Sequence, residues 1–126
     1  MTQFELFSLI AKTARRVHAP TWDDVSEALV VLENSTGSVT LDTPGGSRCP
    51  ELTCCAEGNR YLLTYREILN SGEMIVRSLT VPQTSVGWVG ILGDNWDNRM
   101  VTQDFQLVVR AFLEFFETGT VGELLD

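Results

Sequence analysis

Acidic side chains and a tryptophan crowd into GDNWDNR, residues 93–99, where Asp94 and Asp97 lie three positions apart around Trp96 with Arg99 beside them. Two neighbouring carboxylates can divide acid and base work, but in glycosidases such a pair comes from separated elements with a defined gap. Carboxylates and asparagines this close in one loop, next to an arginine, more readily tie a turn with hydrogen bonds and an ion pair. The segment is therefore read as structural or partner-binding rather than catalytic. Other chemistry-bearing residues are sparse. Cys49, Cys54 and Cys55 lack a zinc spacing, and Cys54 and Cys55, adjacent on a strand, would point to opposite faces. His18 is the single histidine and cannot alone build a metal site or a triad. PGG at 44–46 precedes no helix opening with Lys-Ser or Lys-Thr, which excludes a phosphate loop. The expectation is a protein that is not an enzyme and uses no metal and no cofactor.

The elements that must position these residues follow from periodicity. The chain of 126 residues fits one domain, 1–126. FELFSLI at 4–10 is a strand or a short apolar element, and Arg15, Arg16 and His18 read as a solvated basic patch ahead of a helix. Thr21, with Asp24 three positions on, starts a helix over about residues 22–33, where Trp22, Val25, Leu29 and Leu32 share one face. Asp23 and Asp24 sit in its first turn, where the helix dipole favours anions. ELTCCAEGNRYLLTYRE is a hairpin turning at Gly58-Asn59, and SVTLD, EMIVRSLT (ended by Pro82) and SVGWVGIL read as further strands. A last helix spans about 103–117, capped by Thr102, with Asp104 in its first turn and Gly119 at its end. Phe105, Val108, Val109, Phe112, Leu113 and Phe116 form its apolar face, while Gln106, Arg110, Glu114 and Glu117 line the opposite arc. The pattern is α+β: an antiparallel sheet of about four to six strands with two main helices packed on one face. Trp22, Leu29, Phe105, Val109, Phe112 and Phe116 are the predicted core.

Seventeen acidic residues against nine basic ones give a formal charge of -8. That field disfavours nucleic acid and anionic membrane as partners and favours a basic one. MTQFELFSLIAK has no basic segment before its apolar run and carries Glu5 inside it, so it reads poorly as a signal peptide and is too short to span a bilayer. With three cysteines read as reduced thiols, the expected compartment is the cytoplasm.

TWDDVSEALVVLE, then short strands such as RYLLTYR, then FQLVVRAFLEFFETG, resembles the first-described immunity-protein family of bacterial polymorphic toxin systems, or a related uncharacterised bacterial family. The likeness spans roughly residues 20–122 as an order of elements, and its specific part is Phe115, Phe116, Thr118 and Gly119 together with Trp22. It implies a cytoplasmic inhibitor that binds the toxic domain of a delivered bacterial protein, with many such toxins being nucleases of basic surface. Asp94 and Asp97 rank first as partner contacts, with Trp96 as anchor if its ring is exposed, followed by Asp23, Asp24, Glu114 and Glu117. The rival readings are a non-enzymatic scaffold or adaptor, for which a homodimer is the natural form, and, behind it, a small enzyme.

Overall fold

The computed structural model describes residues 3–45, 48–80, 87–122 and 125. The chain opens with a hairpin, β1 (Glu5–Ile10) and β2 (Thr13–His18), followed by α1 (Trp22–Leu32) and β3 (Gly37–Asp42). The meander β4 (Glu51–Glu57), β5 (Arg60–Ile68) and β6 (Met74–Ser78) comes next. A second hairpin, β7 (Trp88–Ile91) and β8 (Asp94–Asp97), leads through a 3-10 turn at Asn98–Met100 and the short β9 (Val101–Thr102) into α2 (Phe105–Thr118). Pro82, the expected end of the strand after residue 73, lies outside the described residues.

The fold is α+β, with the main sheet ordered β2-β1-β3-β4-β5-β6 and β9 added beside β5. All its pairings are antiparallel. Seven strands among the described residues exceed the four to six expected. One reason is β2, the stretch read as a basic patch before the helix. Its turn is Ala11-Lys12, both in the left-handed region at φ 50° and 69°. Neither residue type signals such a turn, which favours Asn and Gly. The Gly58 turn does carry the signal, and the β4–β5 hairpin forms there with Gly58 at φ 64°.

One core lies between the sheet and both helices. Leu6, Val39, Leu41, Leu52, Cys54, Tyr61, Leu63 and Tyr65 alternate along their strands to meet Val25, Leu29, Leu32, Val108, Phe112 and Phe115. Period-two alternation on the strands and a 3.6-residue period on the helices make these faces coincide. α1 starts as expected: Thr21 Oγ1 accepts from Asp24 N at 3.2 Å while Asp24 Oδ2 accepts from Thr21 N at 2.8 Å. Gly37 permits the close approach of β3 to β1, since a Cβ there would lie 2.1 Å from Leu9 O.

α2 departs from expectation at its start and in its rotation. Asp104, not Thr102, is the cap, its Oδ1 accepting from Gln106 N at 3.1 Å and Leu107 N at 3.4 Å. Thr102 is instead paired with Tyr61 in β9. Val108, Ala111, Phe112 and Phe115 form the fully buried stripe, whereas Phe105, Val109 and Phe116 are only partly buried, as is Trp22 on α1. Tyr65 sets its ring against Phe115 at 6.0 Å between centroids, while Phe4 meets both Phe115, at 5.5 Å, and Phe116, at 5.2 Å. Gly119 ends α2 in the left-handed conformation, φ 78°, as its position implied.

Candidate functional site

The second hairpin does not extend the main sheet. It lies across the sheet face opposite the helices, where Val89, Ile91, Trp96 and Met100 close over Leu62 and Cys55 to form a small separate apolar cluster. Leu62 alternates with Tyr61 and Leu63, which face the helices, yet only 2% of it is exposed, because the hairpin covers it. The hairpin is fastened at both ends. Val101 pairs with Leu62 at its base, and at its tip the Leu92 amide donates to Glu57 Oε1 at 3.3 Å. Leu92 takes φ 52° there, a conformation costly for a side chain with a Cβ, and Gly93 completes the turn at φ 89°.

GDNWDNR is thus mostly strand rather than loop. Its partner in the hairpin sets which side each residue takes: Trp96 faces Val89, and Asp97 faces Trp88. Trp96 turns inward onto the small cluster and is only partly exposed. The expected anchor therefore sits largely beneath the hairpin. Trp88 turns outward instead, with 77% of its surface exposed. Sequence reading assigned SVGWVGIL to a strand but not this residue to a surface. The signal was the alternation of Val89 and Ile91, which forces Trp88 and Gly90 to the other side once the strand has an inner face.

The two aspartates differ in freedom. Asp97 is held by Arg99, whose backbone N donates to Oδ1 at 2.9 Å, whose Nε donates to Oδ1 at 3.1 Å and whose terminal nitrogen donates to Oδ2 at 2.7 Å. These bonds draw the Asp97 carboxyl down from 3.8 to about 2, the Arg99 side chain first and its backbone amide second. The same contact raises the Arg99 guanidinium. Asp94 is exposed and forms no ion pair among the described residues. Its charge, after burial, contributes to raising the Cys55 thiol beneath the hairpin.

The remaining expected contacts lie across the sheet in the helical layer. Asp23 is exposed, Asp24 is engaged in the cap of α1, and Glu117 is exposed near the end of α2. Trp22 and Phe116 meet at 5.9 Å between ring centroids, so the start of α1 adjoins the end of α2. Glu114 lies against the backbone of Gly122 and forms no ion pair with Arg110. The seven residues therefore make two groups on opposite sides of the sheet: Asp94, Trp96 and Asp97 on one, Asp23, Asp24, Glu114 and Glu117 on the other.

Beside the hairpin the sheet face is open, and it carries a feature sequence reading missed. Glu5, Asp42 and Glu51 are adjacent in register on β1, β3 and β4. His18 donates through Nδ1 to Glu5, and Arg66 donates to both Glu51 oxygens at 2.9 Å. Burial first, then the charges of Glu51 and Glu5, raise the Asp42 carboxyl, against lowering by Thr43 and Arg66. Only strand register reveals this row, since the three residues are far apart in sequence. Cys54 lies buried under the helices, and desolvation raises its thiol. Among the described residues, no group of three or more His, Cys, Asp and Glu side chains is arranged to hold a metal ion.

Residues 3–125 match the model of a family described as "Family of unknown function (DUF6911)". The chain belongs to that family. No protein with a curated description matches it. For this DUF6911 member a similar solved structure is the crystal structure of a hypothetical protein from Neisseria gonorrhoeae, with a TM-score of 0.80. The two are 16% identical over 98% of this chain and 92% of that one. At that identity the likeness establishes a shared fold. No helix among the described residues is long and apolar enough to cross a membrane.

Proposed function

We propose that this chain is a cytoplasmic immunity protein, which binds the toxic domain of a bacterial toxin one to one and neutralises it without chemistry of its own. The partner is a protein domain with a basic, nuclease-type surface, and neither nucleic acid nor membrane is contacted directly. The observation that carries the reading is Trp88, 77% exposed on the outward side of the hairpin and across from Asp97. An exposed tryptophan on an acidic protein is what an interface to a basic surface uses, an aromatic anchor on a surface whose charge steers association. The net charge of -8 and the resemblance in the order of elements point the same way. An enzyme is less well supported because the reactive groups are dispersed: His18 is tied to Glu5, Cys54 lies under the helices and Cys55 under the hairpin.

The test is binding to the toxic domain encoded beside this gene, measured by calorimetry and by stopped flow at several salt concentrations. The expected result is one-to-one binding that Trp88→Ala weakens by about tenfold or more. Asp94→Asn with Asp97→Asn is expected to slow association and flatten its salt dependence. Absence of binding overturns the reading, and unchanged on-rates for the double variant remove this hairpin from the interface. The scaffold reading has one observation behind it, the exposed Ile68, Met74 and Val76 on β5 and the edge strand β6. A stable homodimer in sedimentation that ignores the toxin would favour that alternative.

A further inference from the structure

Of the two edge strands of the main sheet, β2 carries Arg15 and Arg16 at its centre, whereas β6 carries Met74, Ile75 and Val76. Charged residues in mid-strand guard an edge against pairing, and β6 lacks that guard. No described strand pairs with its outer side. Met74 and Val76 are 52% and 60% exposed. With Ile68 of β5, which lies across from Met74, they form an apolar strip along the open face of the sheet.

The main chain of β6 decides which register a neighbour can take. Leu69 N donates to Glu73 O at 2.8 Å across the turn into β6. Glu73 therefore turns its carbonyl toward β5, and by alternation Ile75 and Arg77 turn their main-chain groups the same way. Met74 and Val76 direct theirs outward. An antiparallel neighbour must then form hydrogen-bonded pairs at Met74 and Val76 and a non-bonded pair at Ile75. A second β6, placed about a two-fold axis at Ile75, meets that requirement with its own residues. Met74 faces the partner's Val76, Val76 faces the partner's Met74, and Ile75 faces the partner's Ile75. One rung further out, Glu73 faces the partner's Arg77.

The charges beside the edge suit the same register. Glu73 is exposed and forms no ion pair among the described residues. Arg77 donates to the carbonyls of Gly122 and Leu125, the latter at 2.6 Å, and Glu114 rests against Gly122 without forming an ion pair with it. On β5, Arg66 is matched by Glu51 at 2.9 Å and Glu67 by Arg48 at 3.7 Å. The edge is therefore locally balanced although the chain carries -8, and two copies meet there without like charges directly opposed. We propose that β6 is a homotypic pairing edge, which joins two copies of this chain into one continuous antiparallel sheet about a two-fold axis at Ile75. Opposite charges meet at both ends of the seam and apolar side chains fill its middle. A seam of five residues is short, so the dimer is weak, with a dissociation constant of about 10–100 μM. It uses no residue of the β7–β8 hairpin and does not depend on the partner proposed there.

The test is sedimentation of the full chain from about 5 μM to about 1 mM, a range that brackets such a constant. Methyl NMR of a mixture of carbon-13-labelled and unlabelled copies accompanies it. The expected result is a monomer–dimer equilibrium with contacts between copies from Met74 to Val76. Val76→Pro removes an outward donor, which an edge strand tolerates, and should abolish the dimer while circular dichroism shows the fold retained. Glu73→Arg sets a cation against the partner's Arg77 at both ends and should weaken the dimer about tenfold. Glu73 is exposed, so that variant decides the matter should Val76→Pro not fold. A chain that stays monomeric at about 1 mM, leaving the edge to a strand of another protein, overturns the proposal. So does a dimer that Glu73→Arg leaves unchanged, or one whose contacts between copies lie elsewhere.

Discussion

Trp88 and Trp96 occupy neighbouring rungs of one hairpin and point to its two opposite sides, Trp88 across from Asp97 and Trp96 across from Val89. One ring closes the small cluster over Leu62, and the other is left to solvent. The two substitutions to alanine should therefore separate. Trp88→Ala should change the unfolding free energy by less than about 0.5 kcal/mol, as surface changes do. Trp96→Ala should cost about 2 kcal/mol, below the roughly 3–5 kcal/mol of a fully buried aromatic. Urea denaturation checks both, and equal losses would contradict the division of roles.

The rotation of α2 gives a second expectation. Phe112 and Phe115 are fully buried, while Phe105 and Phe116 are not. Alanine at either of the first two should destabilise by about 3–5 kcal/mol, and at either of the last two by clearly less. Chemical denaturation of the four variants decides it. A larger loss at Phe105 than at Phe115 would mean that the helix is turned the other way.

Both helices and the β4–β5 hairpin were legible in the sequence because local signals agreed with the tertiary outcome: the Thr21–Asp24 box, the Gly58 turn and Gly119. β2 was not, since Arg15 and Arg16 give no apolar alternation and an edge strand has only one neighbour to satisfy. The face of α2 was nearly right, but periodicity alone cannot say which side of a broad apolar arc meets Tyr65. At the candidate site, the acidic pair was visible and its geometry was not. That Trp96 lies under the hairpin and Trp88 outside it depends on β7 and β8 folding across the sheet, a packing decision no local pattern contains.

The turn that hid β2 is itself a target. Ala11 and Lys12 are both held in the left-handed region, at φ 50° and 69°, where a residue with a Cβ loses roughly 1–2 kcal/mol. Replacement by Asn-Gly supplies the residues that such a two-residue turn favours. Ala11→Asn with Lys12→Gly should therefore raise stability by about 1 kcal/mol, after allowing for the extra freedom glycine adds to the unfolded chain. The measurement is the urea midpoint at unchanged slope. A lower midpoint would show that the turn is not strained in this way.

Asp97 links the hairpin to pH. Its carboxyl is drawn from 3.8 down to about 2 by the bonds from Arg99. Because the folded value lies below the unfolded one, the unfolded chain binds the proton more readily between the two. The contribution of Asp97 is fully present above the ordinary value and is lost as pH falls through the folded value. The group is exposed to water, so the effect is local to the hairpin and weakens with salt. Carboxyl carbon titration by NMR should place Asp97 near 2 and not near 3.8, with amide exchange at Trp96–Met100 rising over the same range. Asp97→Asn should remove that pH dependence, with the hairpin already looser at neutral pH. The arrangement also ranks the two aspartates for recognition. The charge of Asp97 is met by Arg99 within the turn, whereas that of Asp94 has no ion-pair partner among the described residues. Asp94→Asn alone should then slow association with a basic partner more than Asp97→Asn does at matched ionic strength, and the reverse order would show that the Asp97–Arg99 pair opens on binding.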